Sequence, residues 1–245
     1  MASIYNPSTS QRNSMDSISH SKQRILWEHE HKKPSVLKQM DSDKPSSGVL
    51  RFFGMIKDIG SAKGIEMCCG KGRNVIWLAR NGIDMTGFDF SKNAISEARR
   101  RARAAKVDHS VKLLLQDATR RWKSESGSFD FAIDCFASTD IESYEGRSFA
   151  RDEAVRVLKP GGLLMVYALS TEDEFHRNFV RTSQLQEKNA FLHPMNGKFS
   201  KTYGKEEFLE FYSGLKLMEF KRIRKYEIFF GKRYKCNHIW AVFRK

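Results

Sequence analysis

Residues 64–74 read Gly64-Ile65-Glu66-Met67-Cys68-Cys69-Gly70-Lys71-Gly72-Arg73-Asn74, a strand ending in an acid, then a glycine turn, then the start of an apolar helix. Glycine lets the backbone approach a ligand without a Cβ in the way, and the following helix points free N–H groups and the positive end of its dipole at an anionic group. The acid at the strand tip is placed to hold a cation. A dinucleotide fingerprint requires G-x-G-x-x-G/A, with a third small residue that admits a pyrophosphate. Here Val75 occupies that third position, and Cys68 stands two residues before Gly70. A ligand end with one carboxylate and one ammonium, as in the methionine end of S-adenosylmethionine, suits Glu66 and the helix start better than a pyrophosphate.

Downstream, the stretch Ile83 to Ser91 reads as a second strand ending in Asp89, after a helix closed by Asn81-Gly82. Asp89 follows Gly72 by 17 residues, which suits an acid that accepts hydrogen bonds from ribose hydroxyls. Val111 to Ala118 reads as a third strand whose acid, Asp117, suits the exocyclic amine of adenine. A fourth strand is expected over Phe129 to Phe136. Val157 to Val166 reads as a helix end, a tight turn at Pro160-Gly161-Gly162 and a fifth strand.

The run from about Ala62 to Ser170 resembles the class I, Rossmann-like S-adenosylmethionine-dependent methyltransferases. Cys69-Gly70-Lys71-Gly72-Arg73-Asn74 with Leu78-Ala79 and Gly82 is most similar to the small-molecule branch typified by tellurite-resistance and thiopurine methyltransferases. The resemblance implies an α/β fold, a doubly wound, seven-stranded, mostly parallel sheet with a C-terminal antiparallel hairpin. It implies S-adenosyl-L-methionine as cofactor, with Glu66 and the Cys68–Asn74 loop on the methionine moiety, Asp89 on the ribose, Phe90 on one adenine face, and Asp117-Ala118 on the adenine edge. The expected cofactor contacts are Trp27, Glu66, Cys68, Gly70, Gly72, Arg73, Asn74, Asp89, Phe90, Ser91, Asp117, Ala118 and Asp134. Two departures stand out: Glu66 replaces the commoner Asp, and Cys68 replaces a usual Gly, which suggests that position 68 needs no positive φ.

The chain has 245 residues, 40% of them hydrophobic, enough for one α/β core with an extension and an insert. Residues 1–22 read as a disordered, Ser-rich tail without an apolar h-region, residues 23–60 as an N-terminal helical cap, and residues 61–245 as the catalytic domain. No apolar run approaches the roughly 18 residues of a membrane span, and a cytoplasmic location is expected. Ile25 to His29 reads either as a short helix folded over the cofactor or as packing of Trp27 on the sheet edge. Beyond Ser170, helices are expected over Thr171 to Val180 and Lys205 to Tyr212. Strands are expected over Gly214 to Phe220 and Cys236 to Phe243, around a turn near Gly231-Lys232. An irregular insert at about 181–204 is expected to cover the acceptor.

Four cysteines, Cys68, Cys69, Cys135 and Cys236, show no C-x-x-C spacing and no His partner at ligand distance, so no metal is expected. Cys68-Cys69 is read as two small side chains in a turn rather than a redox-active pair, and Cys135 as core. Forty-three Lys plus Arg against 29 Asp plus Glu give +14, with a pI near 9.7. That charge keeps open RNA as an acceptor beside the favoured small molecule, with Arg99, Arg100, Arg101 and Arg103 facing outward from a helix buried through Ile95, Ala98, Ala102 and Ala105. A non-catalytic cofactor-binding partner subunit is a further alternative. For methyl transfer the candidate acid–base residues are Asp134, His176, Arg177, His193 and Tyr203, none of them singled out by a motif.

Overall fold

A computed structural model describes residues 18–32, 41–59 and 61–245; the tail expected over 1–22 lies largely outside them. Nine strands are described. Seven, β1 (Lys63–Met67), β2 (Asp84–Asp89), β3 (Val111–Leu115), β4 (Phe129–Cys135), β5 (Leu158–Leu169), β8 (Lys216–Phe229) and β9 (Lys232–Arg244), form one sheet in the order β3-β2-β1-β4-β5-β9-β8. β1 to β5 pair in parallel, while β9 runs antiparallel to both β5 and β8. The order reverses beside β1, and in such sheets the ligand crevice opens at the C-terminal strand ends of that switch point. This is the class I methyltransferase fold expected from the sequence.

Helices cover both faces. On one, α2 (Ser47–Ile56), α3 (Arg73–Arg80) and α4 (Lys92–Ala104) pack Val49, Phe52, Val75, Leu78, Ile95 and Ala98 against Phe131, Ile133, Tyr167 and Trp240. On the other, α6 (Tyr144–Val157) and α8 (Lys205–Phe211) bury Ala150, Ala154 and Phe208 against Ile65, Ala132, Leu164 and Phe243. Alternate residues of β4 and β5 serve opposite cores, as a period of two requires. The short α5 (Ala137–Asp140) and α7 (Glu174–Thr182) follow β4 and β5 at the crevice end.

Local chemistry sets the boundaries. Ser46, Ser91 and Asp173 cap α2, α4 and α7 by accepting from Val49, Ala94 and His176 N–H groups, so α7 starts at Glu174, three residues later than expected. The expected turn at Pro160-Gly161-Gly162 is a bulge inside β5, where the pairing with β4 jumps from Phe129↔Leu158 to Phe131↔Leu163. The final hairpin is longer than expected and closes through Phe230 (φ 52°) and Gly231 (φ 77°), both left-handed as a two-residue type I′ turn demands. The insert is not irregular throughout: β6 (Ala190–Leu192) and β7 (Phe199–Lys201) form a small hairpin. α1 (His20–Lys32) begins within the stretch assigned to the tail.

Phe131 is fully buried and meets Phe52 edge-on at 5.4 Å. Phe131→Ala leaves a cavity between α2 and the sheet and is expected to cost about 3–5 kcal/mol, checked by the urea midpoint at unchanged m-value.

Candidate functional site

The loop after β1 is held by the tip of β2. Asp89 accepts from Gly70 N–H at 3.0 Å through one oxygen and from Ser91 N–H at 2.9 Å through the other, which ties the glycine turn to the start of α4. Gly70 has φ 54°, and a Cβ there would meet only the edge of His31, 3.6 Å away. Gly72 (φ 81°) precedes α3, and its Cβ would press on Ala98 at 3.0 Å, so it serves helix packing. Cys68 takes φ 50°, contrary to the expectation that no left-handed residue is needed there. The adjoining bond from Cys69 N–H to Phe88 O, 2.9 Å, pins the turn that requires it.

Glu66 is 2% exposed. One oxygen accepts from Asn74 Nδ2 at 2.6 Å, and Asn74 Oδ1 accepts from Ser46 N–H at 2.9 Å. The other oxygen, Oε2, is buried with no partner. Burial drives the carboxyl up to about 7, only partly opposed by the Asn74 hydrogen bond. Burial also raises Asp89, opposed chiefly by His31. Asp117 behaves differently. Burial would raise it, but the hydrogen bonds from His20 (2.9 Å) and Thr119 outweigh that and hold it below the usual carboxylate range.

These groups border a cavity of about 550 Å³, large enough for a cofactor and an acceptor together. Of the residues expected to contact a cofactor, Trp27, Glu66, Cys68, Gly70, Arg73, Asn74, Asp89, Phe90, Asp117 and Ala118 line it. Gly72, Ser91 and Asp134 do not. Ser91 is fully buried as the cap of α4. Asp134 is fully buried and turned to the opposite face, where it accepts from Ser138 N–H and the Tyr212 hydroxyl. Among the candidate acid–base residues, His176 and His193 line the cavity. Tyr203 is buried against Phe208 and donates to Ser138 O. Arg177 borders a separate surface depression with Glu172, Glu174, Arg224 and Lys235.

α1 covers the opening. His20 bridges Asp117 and Glu142, Arg24 donates to Asp117 at 3.2 Å and lies 5.3 Å above the Phe90 ring, and Gln23 bonds the insert at Gly197 O and Phe199 N. Lys198 sits over Trp27 at 3.9 Å and pairs with Glu30. Sequence reasoning missed two further walls: Ser42 to Ser47, and the hairpin residues Lys225, Glu227, Phe229, Phe230 and His238. Pro45-Ser46-Ser47 before an apolar run was a readable helix-start signal. The arginines of α4 are less free than expected: Arg99 donates to Leu113 O, and Arg100 and Arg101 bind Glu97.

Residues 65–162 match the family model described as a methyltransferase domain. The chain is 32% identical over 103 residues to the putative methyltransferase YqeM of Bacillus subtilis (strain 168), a match covering 41% of this chain and 40% of that relative's length. By shape, a 1,6-didemethyltoxoflavin-N1-methyltransferase of Burkholderia thailandensis, solved with 1,6-didemethyltoxoflavin and S-adenosylhomocysteine bound, superposes with TM-score 0.68 at 10% identity. That match covers 95% of this chain and 92% of the other. TehB of Haemophilus influenzae superposes at 0.60 with 18% identity, over 87% of this chain and 67% of that one. The two structural likenesses are likenesses of fold.

The Glu66 carboxyl sits above its ordinary value of 4.5, so its contribution to folding is fully present below that value and is lost as pH rises through about 7. In the ligand-free protein, the stability lost between about pH 5 and 8 is expected to shrink in Glu66→Gln by on the order of 2 kcal/mol, read from denaturation curves of both proteins at the two pH values.

Proposed function

We propose that this protein is an S-adenosylmethionine-dependent methyltransferase acting on a small-molecule acceptor. The observation that carries the reading is Glu66 Oε2, a buried carboxylate oxygen without a partner in a cavity shared with the glycine loop, Asp89 and Asp117. An orphaned buried acceptor is costly unless a ligand completes it, and an ammonium is the group that would. The remaining lining fits the rest of the cofactor. The first turn of α3 has N–H groups with no partner inside the helix, suited to a carboxylate. Asp89 stands where ribose hydroxyls would donate, and Phe90 and Asp117 offer a ring face and an acceptor for adenine. When bound, the cofactor supplies an electrophilic methyl group on a sulfonium.

The chain's own tasks are then to align the acceptor, exclude water and take a proton where the acceptor carries one. α1 and the insert perform the exclusion, since together they roof the cavity. Arg24 holds the Phe90 face and Asp117, so adenine binding there exchanges one set of contacts for another. A roofed cavity favours a small acceptor over RNA. The match of residues 65–162 to a methyltransferase domain model and the ligands named for the Burkholderia protein support the same reading.

S-adenosylhomocysteine is expected to bind in calorimetry, and Asp89→Ala to weaken it by about 1.5–3 kcal/mol, the range for hydrogen bonds to a charged group. Gly70→Val should weaken it further, because its side chain enters the ligand's path. Equal affinity in wild type and both variants contradicts the assignment. Transfer should also survive a rise in salt from about 50 to 200 mM, whereas an RNA acceptor would lose affinity steeply over that range.

A further inference from the structure

Asp173 is fully buried at the N-cap of α7. One of its oxygens accepts from the His176 backbone N–H at 3.1 Å and faces His176 Nδ1 at 2.8 Å; the other accepts from Asn237 N–H at 2.8 Å and faces His238 Nε2 at 3.7 Å. Burial would raise this carboxyl, but the bonds from His176 and Asn237 outweigh it and hold it below its ordinary value. An ionised carboxylate accepts only, so His176 carries its proton on Nδ1 and leaves Nε2 as the basic nitrogen.

The other charged and titratable groups around His176 do not duplicate this pair. His238 is neutral, pushed down to about 3 by burial, and its Nδ1 meets the Tyr167 hydroxyl at 3.0 Å. His193 is pushed down to about 4 by burial, and its Nδ1 has no hydrogen-bond partner. Asp140 is pushed up to about 6 by burial and accepts from Ser200. Lys198 is paired with Glu30, and Lys225 with Glu227.

The same end of the cavity is walled by rings. Phe136 and Tyr167 lie 4.6 Å apart, Phe175 and Phe229 stack at 4.1 Å, and Phe230 adjoins them. Such walls select flat unsaturated molecules. Carboxylates are already ionised near neutrality and need no base, whereas an aryl hydroxyl or acidic ring N–H does, within reach of an imidazole.

Resting on the proposed methyltransferase activity, we infer that the acceptor is a flat aromatic or heteroaromatic molecule with an ionisable O–H or N–H, that His176 Nε2 takes its proton, and that Asp173 is the positioning residue. The acceptor's proton passes to Nε2, and the resulting imidazolium is balanced by the Asp173 carboxylate. The acceptor's freed electron pair forms the new bond to the methyl carbon, the methyl–sulfur bond breaks, and that bond's pair stays on sulfur as a neutral thioether.

4-Nitrophenol reports the proton transfer directly, because only its phenolate absorbs in the visible. It is added to the full chain saturated with S-adenosylhomocysteine, at about one pH unit below the dye's own pKa, where roughly nine-tenths of the free dye is protonated. The bound dye is expected to show a phenolate fraction several-fold above that of free dye. H176Q and D173N should each return it to the free-dye level with S-adenosylhomocysteine affinity within about two-fold of wild type. Asn retains the helix cap, so D173N removes the anion without unseating α7. D140N should keep the band. Failure of the dye to bind, persistence of the band in H176Q or D173N, or its loss in D140N overturns the inference while leaving the methyltransferase reading intact. Failure of S-adenosylhomocysteine itself to bind overturns both.

Discussion

The Asp89 carboxylate joins the two turns on which the crevice depends. Its oxygens take the N–H groups of Gly70 and Ser91, so the loop after β1 and the start of α4 are fixed to one strand tip. Hydrogen bonds from backbone donors to a carboxylate are charge-assisted, and in a buried setting they are strong enough to hold a turn that contains a left-handed Cys68. From that anchor follow the path of the backbone past Gly70, the aim of α3, and the position of Glu66 at the floor of the cavity.

A second consequence concerns charge. Glu66, Asp89 and Asp117 converge at the C-terminal edge of a parallel sheet, with Asp134 buried just beyond them. Each is satisfied differently: Asp117 by α1 cations and Thr119, Asp134 by Ser138 and Tyr212, Asp89 by backbone, and Glu66 only by half. In the proposed function, an ammonium from outside the chain completes the half that Glu66 lacks. Of the four, Glu66 alone keeps a buried oxygen without a partner.

The sheet and the crevice at its switch point were legible because their signals are local. An acid ending a strand, a glycine turn and an apolar helix recur in order, and the Phe129–Phe136 and Leu163–Val166 runs are apolar enough to read as buried strands. The roof was legible only in part: a helix around Ile25 to His29 and a covering insert were expected, but the contacts that dock them were not. α1 docks through His20, Gln23, Arg24 and Glu28, whose partners lie far away in sequence, and such contacts leave no periodic pattern. β8 is an edge strand whose charged residues, among them Lys221, Arg224 and Lys225, cover its half-exposed faces, so its length was read short. Asp134 and Tyr203 were misplaced for one reason: a polar residue near a strand end gives no sign of which face it turns to, and here both turn to the α8 side.

The central claim is that Glu66 Oε2 and Asp89 are the ligand's polar anchors. A crystal structure of the protein grown with S-adenosylhomocysteine tests it most directly. The predicted density places the ligand's ammonium within hydrogen-bond reach of Glu66 Oε2 and its ribose hydroxyls on Asp89. Ligand density with the ammonium turned away from Glu66, or lying outside the cavity beneath α1, would contradict the account.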